Sequence, residues 1–264
     1  MRIKGSTILV TGASSGIGAA LAPLLAERGA TLAIAARRAD RLAETLSRCR
    51  TYAPASRLWV VDLSDPDRAV QLVHDVWEAY GGLDCLVNNA AVGKRKFVTD
   101  HTAADIDEVL RTDFVSPIRM NLAVLPRMLE RGSGTIVNVA SGGGRFGIVH
   151  ESAYCAAKFA MSGWSESAAM DLAGSPVDIK LVQPGAIETE IWGARPGELP
   201  GLPTDFVTAE QCAAGIADAL ESDGFEFFVP PELKEHVDYK NSDLPGWIEL
   251  MASLGRAKEI PPPT

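Results

Sequence analysis

Long apolar stretches are missing from this chain of 264 residues. No segment reaches the roughly 18 consecutive apolar residues of a membrane-spanning helix, and the run before Thr11 is too short for the core of a signal peptide. Excess positive charge is missing as well, since 25 lysines and arginines face 34 acidic residues, for a formal net charge of −9. Because phosphate backbones are bound by basic surfaces, we expect no nucleic-acid partner, and we expect no membrane association.

Cysteine is scarce, and the four that occur are far apart: Cys49, Cys85, Cys155 and Cys212. Their spacing matches no metal-binding pattern, so we expect no metal site. All four fall in predicted helices or strands, which indicates buried free thiols. Free thiols are typical of a reducing compartment, and we therefore expect a cytoplasmic protein.

The chain alternates short apolar runs with longer segments of helical character. Seven runs are predicted to be strands: Thr7–Val10, Thr31–Ala36, Arg57–Val61, Leu83–Asn88, Thr135–Ala140, Val177–Gln183 and Glu226–Val229. Six segments between them are predicted to be helices: Gly16–Arg28, Ala39–Cys49, Pro66–Tyr80, Ala103–Glu130, Ala153–Ala173 and Ala209–Glu221. Near-continuous apolar strands are typical of a parallel sheet covered on both faces, so the pattern predicts a doubly wound α/β fold.

One domain is expected over residues 1–264, since neither a repeat nor a linker precedes residue 190. Pro117 falls inside the fourth helical segment and predicts a kink or a break there. Glycines and prolines recur between residues 187 and 206, which predicts a substrate loop at about residues 186–208. The tail from about residue 231 is predicted to be irregular, apart from a short amphipathic helix near Trp247.

A glycine-rich turn follows the first strand and opens the first helix: Thr11-Gly12-Ala13-Ser14-Ser15-Gly16-Ile17-Gly18. Gly12 permits the tight turn, Gly16 lets the backbone approach a pyrophosphate, and Gly18 permits close helix packing. Free N–H groups at the start of the helix attract the anion. The turn lacks the Gly-Lys-Ser/Thr ending of a P-loop, so it predicts a dinucleotide site, with a purely structural turn as the alternative.

The second strand is followed by Arg37 and Arg38. A fold that prefers NAD usually carries an acidic residue here for the ribose 2′-hydroxyl, whereas guanidinium groups suit a 2′-phosphate. The sequence therefore predicts NADP as the cofactor, with NAD as the second choice; two solvated arginines are the alternative. Asp62 and Leu63, after the third strand, are predicted to flank the adenine, unless Asp62 caps the next helix instead.

Tyr154 and Lys158 lie four residues apart in a segment without proline or glycine, so their side chains are expected on one face of a helix. Ser141 ends the preceding strand, which places its hydroxyl at the carboxyl end of the sheet. A free phenol has a pKa of about 10, and a cation roughly 5 Å away stabilises the phenolate by about 3 kcal/mol. The three residues predict proton transfer at a carbonyl or carbinol oxygen; a chance Tyr–Lys spacing is the alternative.

In their order along the chain, these motifs resemble those of the short-chain dehydrogenase/reductase superfamily in its single-domain form. The resemblance covers about residues 5–230 and rests on the glycine turn, Asp62-Leu63, Asn88-Asn89-Ala90-Ala91, Ser141, Tyr154-x3-Lys158 and Pro184-Gly185. It implies a Rossmann-like sheet of seven parallel strands in the order 3-2-1-4-5-6-7. It also implies hydride transfer at the nicotinamide and assembly into a homodimer or homotetramer.

The resemblance implies roles for individual residues. Ser141 would position the substrate oxygen, Tyr154 would be the general acid or base, and Lys158 would lower the pKa of the phenol and hold the ribose. The residues predicted to contact the cofactor are Gly12, Ser14, Ser15, Gly16, Ile17, Gly18, Arg37, Arg38, Asp62, Leu63, Asn89, Ala90, Tyr154, Lys158, Pro184, Gly185, Ile187 and Thr189.

Asp113 departs from the family pattern, which usually has an asparagine there whose backbone carbonyl holds a water of a proton relay. An aspartate would keep that backbone role, but its carboxylate would offset part of the pull of Lys158 on Tyr154. Alternatively, Asp113 caps a helix or forms a local ion pair, for instance with Arg111 or Arg119, and has no part in the chemistry.

The residues support two functions. The first is an NADP-dependent oxidoreductase that interconverts a ketone and a secondary alcohol on a small hydrophobic substrate. The second is a nucleotide-binding regulatory or scaffold protein on the same fold, with catalysis impaired by Asp113. Six residues are predicted to rim the substrate side: Arg145, Phe146, Val149, His150, Trp192 and Phe206. The apolar side chains of Trp192 and Phe206 favour a hydrophobic or aromatic substrate, unless they only hold the loop in place.

Overall fold

Seven parallel strands form one sheet in the computed structural model, which describes residues 1–192, 198–199 and 206–255. The strands are β1 Thr7–Thr11, β2 Thr31–Ala36, β3 Arg57–Val60, β4 Cys85–Asn88, β5 Gly134–Val139, β6 Val177–Pro184 and β7 Glu226–Val229. Their order is β3-β2-β1-β4-β5-β6-β7, and every neighbouring pair is parallel. The predicted fold class and strand order are confirmed.

Helices cover both faces of this sheet. They are α1 Gly16–Glu27, α2 Ala39–Arg50, α3 Pro66–Tyr80, α4 Ala103–Leu110, α5 Ser116–Arg131, α6 Ser152–Asp171, α7 Ala209–Glu221, α8 Leu233–Ser242 and α9 Leu244–Gly255. Ile8 and Val10 of β1 pack with α1, α2 and α7, whereas Leu9 packs with α3 and α5 on the other face. In the described part of the chain, no helix is both long and apolar enough to cross a bilayer.

Local sequence signals set the helix ends, as α3 illustrates. The Asp65 side chain accepts hydrogen bonds from the backbone N–H groups of Asp67 and Arg68 at 3.0 and 3.3 Å, and Pro66 stands in the first turn. Gly81 ends the helix in the left-handed conformation, with φ of 70°. A capping carboxylate, a first-turn proline and a terminal glycine are the expected signals for such a helix.

The fourth helical segment is interrupted close to Pro117, as predicted. A π-helical turn, Arg111–Val115, joins α4 to α5, and Pro117 stands in the first turn of α5. Proline has no backbone N–H to donate to the preceding turn, so the regular hydrogen-bond ladder is broken at this point. Asp113 lies within the π-turn and is fully buried. The turn therefore carries an ionisable side chain into the interior.

The described part of the C-terminal tail, up to Gly255, is mostly helical, so the prediction of an irregular tail was wrong there. Leu233 and Val237, four residues apart, give α8 a buried face, and they pack with Phe146 and Trp247 in one apolar cluster. The amphipathic helix expected near Trp247 is α9. Residues 256–264 of this tail lie outside the described residues.

Part of the predicted substrate loop is described. Residues 186–192 follow β6, and Ile187 forms a parallel bridge with Val207 at the other end of the loop. Phe206 is 44% exposed. Residues 193–197 and 200–205 of this loop, and the side chain of Trp192, lie outside the described residues.

All four cysteines are buried and free, as predicted. Burial raises the pKa of the Cys49 thiol to about 11 and the pKa values of Cys155 and Cys212 to about 12. A thiol reacts as its thiolate, so these side chains behave as small apolar groups at neutral pH. Cys155, although it adjoins Tyr154, is one of these apolar side chains.

Candidate active site

A cleft of about 580 Å³ runs across the carboxyl ends of the strands, where ligands of open α/β sheets bind. The predicted cofactor residues that line it are Gly12, Ser14, Ser15, Gly16, Ile17, Arg37, Arg38, Asp62, Leu63, Asn89, Ala90, Tyr154, Lys158, Pro184, Gly185, Ile187 and Thr189. Ser141 lines it as well. The other two predicted site residues, Gly18 and Asp113, are not among the lining residues.

The glycine turn has the shape that a diphosphate requires. Gly12 has φ of 70°, and a Cβ there would lie 2.8 Å from the Cα of Ala90. A Cβ on Gly18 would lie 2.5 Å from the carbonyl oxygen of Gly12, so the helix packs directly on the turn. Ser15 precedes α1 without a side-chain capping hydrogen bond, which leaves the first N–H groups of the helix for an anion. These residues fit the diphosphate of a dinucleotide.

Acidic groups face the two arginines after β2. Arg37 Nη1 lies 3.9 Å from Asp62 Oδ1, and Arg38 Nη1 donates a hydrogen bond to Glu190 Oε2 at 2.7 Å. Arg41, in the first turn of α2, also pairs with Glu190. Sequence reasoning missed both Arg41 and Glu190, because Glu190 is 152 residues away from Arg38 along the chain.

Asp62 stands at the cleft rather than at a helix end. Its Oδ1 accepts a hydrogen bond from the backbone N–H of Ser64 at 3.0 Å, and α3 is capped by Asp65 instead. The alternative that Asp62 caps the next helix is therefore wrong. Its neighbour Leu63 is buried against the core and also lines the cleft.

The three residues predicted for proton transfer meet at the other end of the cleft. Lys158 Nζ lies 5.5 Å from the centroid of the Tyr154 ring, one helical turn away in α6. The Ser141 hydroxyl is close enough to the Tyr154 phenol to lower its pKa. The backbone N–H of Ser141 donates to Gln183 Oε1, and the N–H of Gly143 donates to Ser141 Oγ, both at 3.1 Å. Both bonds hold the serine in place at the end of β5.

Lys158 is paired from behind by Asp113. Lys158 Nζ lies 3.4 Å from Asp113 Oδ2 and donates to the carbonyl oxygen of Val139 at 3.3 Å. The Asp113 and Lys158 side chains are 0% and 2% exposed. Asp113 Oδ1 accepts from the backbone N–H of Val92 at 2.8 Å. The Asp113 carboxylate is therefore an ion-pair partner of Lys158.

Arg111 and Arg119, the arginines considered as partners of Asp113, form ion pairs with other acidic residues. Arg111 Nη2 lies 3.7 Å from Asp107 Oδ2, and Arg119 Nη2 lies 2.8 Å from Asp67 Oδ1. That alternative is therefore wrong. A helical surface offers each arginine a solvated carboxylate, whereas the π-turn aims Asp113 inward.

Burial raises the pKa of Tyr154, and the nearby Asp113 carboxylate raises it further, against the lowering effect of the Ser141 side chain. Burial also raises the pKa of Asp113, to about 6, although the Lys158 ammonium opposes this. That Lys158 lowers the pKa of this phenol stays a prediction. The Lys158 ammonium also contacts Asp113 and the Val139 carbonyl oxygen, which sequence spacing alone cannot show.

Apolar side chains wall the substrate side of the cleft. They come from the segment after Ser141 and from α8 and α9: Phe146, Ile148, Leu233, Trp247, Leu250, Met251 and Leu254. His236 adds a polar group to this wall and stacks near Trp247, with ring centroids 6.0 Å apart. The amphipathic pattern near Trp247 was visible in the sequence, but its position over the cleft was not.

Of the residues predicted to rim the substrate side, Phe146 lines the cleft and is buried. Arg145 pairs instead with Glu226, with Nε and Oε1 2.7 Å apart. His150 has φ of 66° and lies against Phe97, with ring centroids 6.1 Å apart.

A buried ion pair, Arg95–Glu151, also lines the cleft, and sequence reasoning missed it. The charged atoms are 3.9 Å apart, and the side chains are 3% and 8% exposed. Burial raises the pKa of Glu151 to about 7, although Arg95 opposes this. Arg95 Nη1 also donates to the carbonyl oxygen of Ile191 at 2.7 Å. The only sequence signal was that Glu151 precedes Tyr154 by three residues, a helical spacing.

Known proteins resemble this chain in both sequence and structure. The profile of a family described as short chain dehydrogenase matches residues 6–198. Ketoacyl reductase HetN from Nostoc sp. is 31% identical over 185 residues, and the match spans 70% of this chain but only 64% of that protein's length.

Two solved structures share the fold across nearly their whole length. A short chain dehydrogenase/reductase from Burkholderia phymatum, in complex with NAD, superposes with a TM-score of 0.82 and 25% identity, covering 95% of this chain and 96% of that one. A metagenomic short-chain oxidoreductase in complex with NADP gives a TM-score of 0.72 and 28% identity, covering 86% and 97%. Both neighbours thus bind a nicotinamide dinucleotide.

Proposed function

This chain belongs to the short chain dehydrogenase family of nicotinamide-dependent oxidoreductases, and from that premise we propose that it interconverts a ketone and a secondary alcohol with NADP(H) on a small hydrophobic substrate. The observation that carries the proposal is the convergence of Ser141, Tyr154 and Lys158 at one end of a cleft whose other end is the glycine turn.

The cofactor cleft has residues for each part of a dinucleotide. The glycine turn and the start of α1 fit the diphosphate. Among the other lining residues, Asp62 and Leu63 would flank the adenine, and Tyr154 and Lys158 would lie at the nicotinamide. When bound, the dinucleotide supplies or accepts the hydride. The arginines after β2 support NADP over NAD, because guanidinium groups match a phosphate.

Tyr154 is the proton donor in this scheme. Its raised pKa keeps the phenol protonated at neutral pH, so it can donate to a carbonyl oxygen that becomes a carbinol. Ser141, held by Gln183 and Gly143, hydrogen-bonds at the same place and positions that oxygen. Lys158 lies beside Tyr154, with its Nζ 5.5 Å from the centroid of the phenol ring. A protonated phenol suits reduction, so we propose ketone reduction as the favoured direction.

The substrate wall supports a hydrophobic substrate. Phe146, Trp247 and Met251 present apolar surface to the cleft, and the buried Arg95–Glu151 pair lines it as well. Arg95 is held by Glu151 and by the Ile191 carbonyl oxygen, so a substrate with a strong net charge gains little there. A ketone with an apolar or aromatic body fits this lining best.

Assembly and location remain predictions. Large apolar side chains are exposed on α5 and α6: Leu122, Leu129, Phe159 and Met170. Such surface supports a homodimer or homotetramer, to be measured by light scattering of the purified protein. The buried free cysteines suit a cytoplasmic setting.

A second function is favoured by the Asp113–Lys158 pair. If the carboxylate cancels the charge of Lys158, the chain could bind the dinucleotide and serve as a regulatory or scaffold protein. This function predicts NADPH binding without turnover, and increased turnover when Asp113 is neutralised.

The proposed oxidoreductase is tested by Tyr154→Phe. A panel of apolar ketones is offered with NADPH, and oxidation is followed at the NADPH absorbance band. Loss of the proton donor should lower kcat by roughly 100-fold to 10,000-fold while the Kd for NADPH changes little. Tyr52→Phe, on a surface residue that is 55% exposed, is the matched control. A variant as active as the wild type, or a wild type inactive on every ketone and alcohol, would contradict the proposal.

A further inference from the structure

Glu190 bridges two arginines at the adenine end of the cleft. Its Oε2 accepts from Arg38 Nη1 at 2.7 Å, and its Oε1 pairs with Arg41 Nη1. Arg38 follows β2, Arg41 lies in the first turn of α2, and Glu190 comes from the segment after β6. One carboxylate therefore joins two distant parts of the chain across the mouth of the cleft.

The two guanidinium groups form an anion site that holds the protein's own carboxylate. Hydrogen bonds from Arg38 and Arg41 lower the pKa of Glu190, so it is ionised at neutral pH. Arg38 Nε lies 3.4 Å from Ser14 Oγ, which places the site beside the glycine turn. The three charged side chains are 41%, 43% and 52% exposed, so a ligand can reach them from solvent.

We propose that the carboxylate of Glu190 occupies the place of the 2′-phosphate of NADP, and that Glu190 thereby sets the preference between NADP and NAD. A phosphate carries more charge than a carboxylate and accepts paired N–H groups from arginine, so it can displace Glu190. A ribose 2′-hydroxyl has no such charge and leaves Glu190 in place. The inference rests on the proposed use of a dinucleotide, but it does not depend on catalysis.

The exchange is energetically accessible in both directions. Ion pairs between half-exposed side chains are individually weak, so the carboxylate is not locked onto Arg38 and Arg41. It is nevertheless a competitor tethered to the site, and every bound phosphate must overcome it. Glu190 thus reduces the advantage that the arginines give to NADP.

Glu190→Gln tests this competition, because it removes the charge and keeps the shape. Dissociation constants are measured by fluorescence titration and calorimetry for NADPH and NADH, and for the fragments 2′,5′-ADP and 5′-AMP, which differ in the same phosphate. The variant should bind NADPH and 2′,5′-ADP roughly threefold to tenfold more tightly, the worth of one or two surface ion pairs. Affinity for NADH and 5′-AMP should change less than about twofold.

Two further variants make the outcome specific. Glu188→Gln removes the same charge two residues earlier from an exposed side chain, and it should leave the ratio of NADPH to NADH affinity unchanged. Arg41→Gln removes one side of the anion site, and it should weaken NADPH while sparing NADH. A melting temperature for each variant shows that it is folded.

The possible results separate the inference from the proposed function. The inference would be overturned if Glu190→Gln bound NADPH more weakly, or if it bound NADPH and NADH more tightly to the same extent. It would also be overturned if Glu188→Gln had the same effect as Glu190→Gln, or if Arg41→Gln kept normal NADPH affinity. If the wild type binds NADPH normally in those cases, the proposed function stands. Failure of the wild type to bind either dinucleotide would overturn both.

Discussion

The Asp113 carboxylate lies 3.4 Å from the Lys158 ammonium, and neither side chain is more than 2% exposed. Lys158 shares a helix face with Tyr154, so its positive charge is divided between the phenol and the carboxylate behind it. The pKa of Tyr154 is raised by burial first and by Asp113 second. The pair therefore keeps the phenol protonated, which is the state that a proton donor needs.

Asp113→Asn should lower the pKa of Tyr154, because it removes a nearby negative charge that disfavours the phenolate. Alcohol oxidation, which needs the deprotonated phenol, should then begin at a pH lower by roughly one unit or more. The measurement is the pH profile of kcat/KM in the oxidative direction. Asp107→Asn, on the exposed face of α4, is the control and should leave the profile unmoved. A profile that stays in place or shifts upward in Asp113→Asn would show that the carboxylate does not act on Tyr154.

Glu151→Gln should make stability less dependent on pH. Burial raises the folded-state pKa of Glu151 to about 7, above the ordinary value of 4.5. A raised pKa gives stability that is fully present below the unfolded value and is lost as the pH rises through about 7. Between pH 5 and pH 8 the wild type should therefore lose on the order of 3 kcal/mol that the variant does not lose. Urea unfolding at both pH values measures the difference.

A matched exposed residue serves as the control for Glu151. Glu235→Gln in α8 should keep the pH dependence of the wild type, since that side chain is exposed. If Glu151→Gln keeps it as well, Glu151 is ionised in the folded protein at the same pH as in the unfolded chain.

Gly18→Ala should weaken dinucleotide binding and lower stability, because the added methyl group would lie 2.5 Å from the Gly12 carbonyl oxygen. Gly163→Ala is the contrasting change: Gly163 lies inside α6, and its added methyl group meets nothing within 4 Å. It should stabilise the protein by roughly 0.5–1 kcal/mol, through the lower flexibility of the unfolded chain. Thermal melts and NADPH titrations of both variants provide the comparison. Equal effects of the two substitutions would contradict the tight packing at Gly18.

Gln183→Leu should lower kcat while the Kd for NADPH stays nearly unchanged. Gln183 Oε1 accepts from the backbone N–H of Ser141 at 3.1 Å, and its Nε2 donates to Ser162 and Glu226 at 3.1 and 2.9 Å. Loss of these buried hydrogen bonds should also cost about 2 kcal/mol of stability. Gln71→Leu, on the exposed face of α3, is the control. A variant that melts earlier but keeps full kcat would limit Gln183 to a structural role.

The elements of the fold could be predicted because their signals are local. Apolar runs bounded by Gly12 or by Arg37 identify strands, and the spacing of Tyr154 and Lys158 identifies a shared helix face. Such patterns depend only on residues within a few turns of one another. The strand order itself came from the family resemblance.

The contacts that the sequence did not disclose join distant segments. Arg38 meets Glu190 across 152 residues, and Trp247 donates a hydrogen bond to the Gly147 carbonyl oxygen across 100. No local period encodes such meetings. Asp113 was recognised as unusual, but the direction of its side chain depended on the π-turn, which no local sequence rule anticipated.

The π-turn between α4 and α5 also determines how α4 is rotated about its axis relative to α5. A π-turn holds one residue more than the α-helical turn it replaces, and each residue of an α-helix turns the chain by about 100°. Winding Arg111–Val115 as regular α-helix, with no residue removed, would therefore rotate α4 by about this angle about its axis relative to α5. Val109, now buried, would turn away from its cluster, and Asp113 would leave Lys158. The π-turn takes up the extra residue and so sets the angular phase between the two helices.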